Sequence, residues 1–61
     1  MKEIIIIRIV NGDDVAYDIE DEDGNYLGDS EDLMDAMNAA LLLAEEHGVE
    51  FVKMQVASRL C

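Results

Sequence analysis

Two segments near the N-terminus have the hydrophobic pattern or composition of β-strands. Residues 3–10 are rich in β-branched side chains, which favour strands. The Asn11-Gly12 dipeptide that follows is typical of a tight hairpin turn. Residues 15–20 alternate regularly and predict a second strand. The side chains on one face of that second strand are Val15, Tyr17 and Ile19.

A second turn and a short apolar pair come next. Residues 21–25 read Asp-Glu-Asp-Gly-Asn, which is the composition of a turn. Tyr26 and Leu27 form either a short third strand or part of a loop that continues to Gly28. The local pattern favours neither, so both alternatives are carried into the topology.

The segment after Gly28 has the spacing of an amphipathic helix. We expect this helix to begin at Asp29 or Ser30, because either side chain can accept a hydrogen bond from the free amides of the first turn. It should end near His47, since Gly48 supplies the left-handed residue that commonly terminates a helix. The predicted inward-facing side chains are Leu33, Met37, Ala40, Leu41 and Ala44. Residues 49–57 form the last strand, and its shared face carries Val52, Met54 and Val56.

These elements predict an α+β, two-layer fold in which a single helix packs on one face of a three- to four-stranded sheet. The order is βββαβ if Tyr26 and Leu27 form a strand, and the last strand then runs parallel to the first. It is ββαβ, with the last strand antiparallel to the first, if they do not. The run from Ile4 to Ile7 favours the first alternative, because a strand that is apolar on both sides is typical of the centre of a sheet. Residues 1–61 are expected to form one domain.

A strand that is apolar on both sides leaves one apolar row on the sheet face that the helix does not cover. The row expected to face the helix is Ile5, Ile7 and Ile9. The row expected to face outward is Ile4, Ile6 and Val10, continued across the sheet by Phe51. Contiguous exposed apolar surface often marks an interaction site, so Ile4, Ile6 and Phe51 are candidates for a homodimer or partner interface. The alternative is that long acidic neighbours and Lys53 cover this face.

Charge is the strongest signal in the composition. The chain has 15 Asp and Glu against 4 Lys and Arg, a formal net charge of -11, although 51% of it is hydrophobic. The apolar half argues against disorder. The negative charge would repel DNA, RNA and anionic lipid, so none of these is expected as a direct ligand. No Lys or Arg lies between Arg8 and Lys53.

The sequence contains no pattern that predicts catalysis, a metal site or a cofactor. Asp21, Asp23 and Gly24 match part of a calcium loop, but Ile19 and Ser30 stand where its first and last carboxylates are required. One histidine and one cysteine cannot complete a zinc site. No nucleophile has a base beside it, and a core this small has little room for a pocket of about 300 Å³ or more. We therefore expect a protein that is not an enzyme.

The single cysteine and the short apolar segments indicate in which cellular compartment the protein is expected. Cys61 is the single cysteine, so no internal disulfide can form and a reducing compartment is expected. The apolar run after Glu3 is interrupted by Arg8, unlike a signal peptide. No stretch approaches the roughly 18 apolar residues that span a bilayer. The expected location is the cytoplasm, with no membrane partner.

Three explanations compete for the acidic composition. The carboxylates could imitate nucleic acid and occupy a basic channel on another protein, with fast and salt-dependent association. They could serve only solubility or adaptation to high salt. They could also belong to a small regulatory module, such as a homodimer, that binds through its sheet face. The first explanation assigns partner binding to Asp13, Asp14, Asp18, Glu20, Asp21, Glu22, Asp23, Asp29, Glu31, Asp32 and Asp35.

A resemblance supports the first explanation. With its clusters at Asp13-Asp14, 20–23 and Glu31-Asp32, and without a catalytic group, the chain resembles the small acidic phage inhibitors of bacterial defence, including anti-CRISPR proteins and other DNA mimics. This resemblance implies a partner in the host cytoplasm, a nucleic-acid-recognition subunit of a CRISPR-type effector, and blocked binding of target DNA.

A second resemblance concerns the fold alone. The Asp23-Gly24 turn, the alanine-rich helix over 33–44 and the His47-Gly48-Val49 exit into a strand are similar to small bacterial sheet-plus-helix domains of unknown function. This resemblance implies an architecture and no activity.

Overall fold

The chain forms four strands and one helix in the order βββαβ, which confirms the first of the two predicted topologies. The structure is a computed structural model that describes residues 2–58 and, of their side chains, those of residues 2–56; Cys61 lies outside this range. The elements are β1 (Glu3–Asn11), β2 (Asp14–Asp21), β3 (Tyr26–Ser30), α1 (Leu33–His47) and β4 (Phe51–Ser58).

The sheet has the strand order β3-β2-β1-β4. β1 pairs antiparallel with β2 and parallel with β4, so β1 is a central strand, as its apolar character on both sides predicted. β3 pairs antiparallel with β2 and is longer than the Tyr26-Leu27 pair suggested. α1 is the crossover from β3 to β4 and packs on one face of the sheet.

The first hairpin is shifted by one residue from the prediction. Asn11 still pairs with Asp14, so Gly12 and Asp13 make the loop. Gly12 has φ 64°, and no non-glycine residue of the described range has a positive φ. A glycine at the first loop position followed by a residue with negative φ is the pattern of a type II′ hairpin, which suits the twist of the two strands.

The helix begins later than predicted. Asp29 and Ser30 remain in β3, where they pair with β2. Asp32 is the N-cap instead, and its Oδ2 accepts a hydrogen bond from the Asp35 amide at 3.3 Å. The loss of two residues to the strand leaves a helix of 15 residues.

The predicted end of the helix is confirmed. Gly48 adopts the left-handed conformation with φ 65°. Its amide donates to the Glu45 carbonyl at 3.4 Å, and the Val49 amide donates to the Ala44 carbonyl at 2.8 Å. These two bonds form a Schellman motif, which satisfies carbonyls that the helix leaves free.

The assignment of the two faces of β1 was wrong. The core contains Ile4, Ile6, Ile19, Ala36, Ala40 and Ala44, of which Ile4, Ile19, Ala36 and Ala40 are 0% exposed. Ile6 pairs with Ile19, and residues paired across strands share a face. Because Val15, Tyr17 and Ile19 face the helix, the register turns Ile4 and Ile6 toward it as well. Ile4 and Ile6 are therefore core residues and cannot form an interface.

The inward face of the helix was also misplaced. Ala36, Ala40 and Ala44 are buried, and Leu33, Ala39 and Leu43 are partly buried. Met37 and Leu41, which were predicted to point inward, are 42% and 55% exposed. The alanine row lets the helix backbone lie close to the sheet, and this rotates the larger side chains at Met37 and Leu41 to the flank.

Candidate partner-binding surface

The sheet face turned away from α1, called here the open face, has an aliphatic centre and an acidic side. Ile5, Ile7 and Ile9 form the centre. The register places Glu20 opposite Ile5 and Asp18 opposite Ile7 on β2. Ile7 is 8% exposed, and Ile5 and Ile9 are half-buried, so the aliphatic row is largely covered. Asp18 and Glu20 are half-buried as well, and Asp29 on β3 is exposed.

Three carboxylates form an acidic ladder on the open face: Asp18, Glu20 and Asp29. Asp18 lies directly opposite Asp29 on the neighbouring strand. Like charges directly opposed across strands destabilise a sheet, so this arrangement has a cost. Residues two apart on one strand are about 6.7 Å apart, and neighbouring strands are about 4.8 Å apart. The ladder therefore concentrates negative charge at separations of the order found between phosphates along a nucleic-acid strand.

Tyr26 is tied to this ladder. Its hydroxyl donates to Asp29 Oδ2 at 2.7 Å. This hydrogen bond, followed by desolvation and by the negative charges of Asp29 and Asp18, raises the pKa of Tyr26 above its ordinary value. The hydroxyl thus remains a donor and places an exposed aromatic ring, 62% exposed, beside the carboxylates. Sequence reasoning did not assign Tyr26 to the site.

A second group of carboxylates lies at the end of the sheet where β1 and β3 finish and α1 begins. Asp13 is in the hairpin loop, and Asp14 pairs with Asn11 beside it. Glu31, Asp32 and Asp35 surround the start of α1, where the helix dipole favours negative charge. All five are exposed. Asp32 is partly committed to its cap, so the others are the freer members.

Asp21 has a structural role that the sequence interpretation missed. Its Oδ1 accepts from the amides of Asp23 and Asn25, both at 2.9 Å, and its Oδ2 accepts from the Asn25 side-chain amide at 3.0 Å. The Asn25 side-chain bond is the main reason that the pKa of Asp21 is lowered. Asp21 is only 7% exposed, so it is withdrawn from partner binding. The Asp-x-Asp-Gly-Asn pattern was the available signal, because an Asp side chain often organises such a turn.

Glu22 joins this turn to the start of β1. It accepts from the amide of Lys2 at 2.8 Å and from the amide of Glu3 at 3.0 Å. Hydrogen bonding to the Glu3 amide is the largest cause of a lowered Glu22 pKa. Glu22 therefore holds two backbone amides, a role in the fold that its place in the acidic run concealed. Asp23, beside it, is exposed.

The structure thus divides the eleven predicted carboxylates among three places: the ladder, the group near the start of α1, and the turn at residues 21–25. Asp29 is two residues before Glu31 in the sequence, so the first two places are continuous. We call this continuous part the acidic half; it consists of Asp13, Asp14, Asp18, Glu20, Asp29, Glu31, Asp32 and Asp35. The turn at the opposite end of the sheet carries Asp21, Glu22 and Asp23, and two of its three carboxylates are used within the fold.

A surface depression of about 430 Å³ lies elsewhere, a larger space than the sequence led us to expect. Its lining residues are Lys2, Glu3, Gly48, Glu50 and Phe51. Phe51, the third member of the predicted apolar interface, is 66% exposed there.

In the part of the chain that the structure describes, no helix has the length and apolar character that a membrane span requires. Among the same residues, no group of three or more His, Cys, Asp and Glu is arranged to hold a metal ion.

Comparison of the chain with protein-family models, with curated proteins and with solved structures found no match in any of the three.

Proposed function

We propose that the protein binds the nucleic-acid-binding surface of another protein and excludes its DNA or RNA. The observation that supports this most directly is the acidic ladder, in which Asp18 and Asp29 face one another despite their repulsion. A basic channel lined by Lys and Arg would relieve this repulsion. The aromatic ring of Tyr26 and the edges of the isoleucine row would then contact the apolar stems of those basic side chains.

The net charge of the protein determines how salt should affect the formation of such a complex. With a net charge of -11, the protein is attracted to a positive channel from a distance, which raises the association rate at low salt. Salt should weaken the complex strongly, as it weakens phosphate contacts. The resemblance to anti-CRISPR proteins places one class of partner first, the nucleic-acid-recognition subunit of a bacterial defence complex.

The direct test uses the immobilised protein and a nuclease-treated bacterial lysate. Nucleic-acid-binding proteins should be captured at low salt, released at high salt, and released at low salt by an added DNA or RNA oligonucleotide. Release by the oligonucleotide is the decisive result, because it shows that protein and nucleic acid compete for one surface. Capture that is insensitive to the oligonucleotide, or no capture of such proteins at low salt, would contradict the proposal.

Matched variants locate the binding surface. The test variant neutralises the ladder by Asp18→Asn, Glu20→Gln and Asp29→Asn. The control removes the same three charges elsewhere, by Glu45→Gln, Glu46→Gln and Glu50→Gln, all at exposed positions. The ladder variant should lose roughly tenfold or more in affinity for the captured protein, and the control much less, since local charge pairs outweigh distant ones. Equal losses would show that only net charge matters.

The division of the carboxylates among three places favours a second candidate. In this alternative the protein is a small homodimeric regulatory or structural module, and its acidity serves solubility or salt adaptation. It predicts that molar salt continues to raise thermal stability, and that the ladder variant and its control behave alike in every binding assay.

A further inference from the structure

The two edges of the sheet are built differently. β3 has five residues, its pairing with β2 is interrupted by a register shift at Ile19 and Glu20, and it carries Asp29. Short length, a bulge and charge are the usual means by which an edge strand avoids pairing with another chain. β4 has eight residues in unbroken register with β1. Within residues 2–58 it pairs on one side only, so its outer edge offers a regular row of backbone donors and acceptors.

The β4 strand also carries no negative charge. Residues 51–58 contain Lys53 and no Asp or Glu, in a chain with 15 carboxylates. Lys53 pairs with Glu3 on the neighbouring strand, with Nζ 3.1 Å from Oε2. Two copies of a protein with net charge -11 repel at most orientations. They approach more favourably where neither presents a carboxylate, and β4 combines this lack of negative charge with an open strand edge.

Apolar side chains flank this edge on the helix side. Met54 and Val56 pair with Ile6 and Arg8 and therefore share the helix-facing side of the sheet. They are nevertheless 46% and 71% exposed, so α1 does not cover them. Met37 and Leu41, at 42% and 55% exposed, lie on one flank of α1. A crossover between parallel strands is right-handed in about 98% of cases, and this hand turns that flank toward β4.

We infer that two copies of this protein pair through β4, antiparallel, about a two-fold axis perpendicular to the sheet. This axis keeps both helices on the same side of one eight-stranded sheet. A register centred on Met54 places Val52 opposite the partner's Val56. It places Lys53 opposite the partner's Gln55. Apolar side chains then meet apolar side chains on the helix side. No carboxylates are brought together by this pairing, because residues 51–57 contain none.

A second copy fits this edge better than a charged partner does. A basic partner is attracted to the acidic half, and an acidic one is repelled by the protein as a whole. The strand is about 26 Å long at 3.3 Å per residue. A small specific interface buries about 600 Å² on each copy, roughly a seventh of the 4307 Å² surface. A short chain gains from such an interface, since it buries a limited share of its own surface alone.

Sedimentation of the full chain tests the inference. We expect a monomer–dimer equilibrium between about 10 μM and 1 mM, strengthened by added salt because salt screens the repulsion between copies. Val56→Lys should weaken the dimer at least about tenfold, since it introduces a charge opposite the partner's Val52. Leu42→Lys is the control, because Leu42 is 62% exposed and lies on the side of α1 turned away from the sheet, opposite the buried Ala40. A monomer over the whole range, larger assemblies, or a dimer insensitive to Val56→Lys would overturn it.

Cross-linking tests the register and does not depend on disrupting the interface. In a Cys61→Ser background, Met54→Cys places two thiols across the two-fold axis, about 4.5–5.5 Å apart at Cβ. Mild oxidation should convert this variant to a covalent dimer, whereas Leu42→Cys in the same background should not be cross-linked. Equal cross-linking of both variants would contradict the pairing. Failure of the dimer and failure of the proposed function can be told apart with Val56→Lys. This variant leaves the acidic ladder intact, so it should still capture nucleic-acid-binding proteins even though it no longer dimerises.

Discussion

The acidic half and the β4 edge sit on opposite sides of the same sheet and differ in almost every physical property. The acidic half carries eight carboxylates on β2, β3, their loops and the start of α1, whereas residues 51–58 carry none. Its ladder has an internal repulsion that an external cation can relieve. The outer edge of β4 pairs with no other strand among residues 2–58 and is flanked by exposed Met54 and Val56. Association through the first should weaken with salt, and association through the second should strengthen. Salt dependence is therefore the measurement that separates the two surfaces.

The largest effect on stability should come from exchanging a structural carboxylate for an amide. Asp21→Asn removes the charge that accepts three hydrogen bonds in the turn and should lower the Tm by roughly 5–10 °C. Asp18→Asn, the same substitution in the ladder, should instead raise the Tm by about 1–4 °C, because it removes a like charge opposite Asp29. Thermal unfolding followed by circular dichroism measures both. A loss of stability in both variants would show that the ladder also supports the fold.

The pH dependence of thermal stability should come from the turn that contains Asp21 and Glu22. The pKa values of Asp21 and Glu22 are lowered in the folded protein from ordinary values of 3.8 and 4.5. Their stabilisation is therefore complete above those ordinary values and is lost as the pH falls through the lower folded values. The Tm difference between wild type and Asp21→Asn should be constant from pH 7 to about pH 5 and shrink below about pH 4. A difference that persists undiminished to about pH 2 would contradict this role of the charge.

Salt should have a moderate effect on the thermal stability of the protein without a partner. Screening shortens the range of repulsion to about 10 Å at 0.1 M and about 3 Å at 1 M, so the Tm should rise with salt and then level off. The ladder variant, which lacks three of the repelling charges, should show a smaller rise than the control at Glu45, Glu46 and Glu50. A steep rise that continues to molar salt in all three proteins would favour salt adaptation over partner binding.

The smallest effect concerns Tyr26. Asp29→Asn replaces the charged acceptor of the Tyr26 hydroxyl and should move the pKa of Tyr26 down toward its ordinary value of 10.0. Ultraviolet titration of tyrosinate measures this shift, with Glu45→Gln as the control. No change would mean that the bond to Asp29 does not set the ionisation of Tyr26.

Sequence patterns predicted the elements well where a local signal was complete. Alternation grouped Val15, Tyr17 and Ile19 on one face of β2, and Gly48 marked the end of α1. Prediction was poorer where two choices had similar local signals. Asp29, Ser30 and Asp32 can all cap a helix, and pairing of the first two with β2 decided for Asp32. Likewise, the apolar positions of α1 allowed more than one inward face, and close packing of its alanines selected one.

The sequence by itself determined the first two strands, the helix, the last strand and the surplus of negative charge, because each follows from local residue types. It left open whether residues 26–28 form a strand, which pairing with β2 decided. Only the tertiary structure decided which side of β1 is core. Every position from Ile4 to Ile7 is isoleucine, so no period of two exists there, and the register with β2 had to supply the choice. The tertiary structure also separated the carboxylates that organise the Asp21 turn from those that remain available. Identical side chains in one acidic run differ only in which backbone amides the fold brings to them.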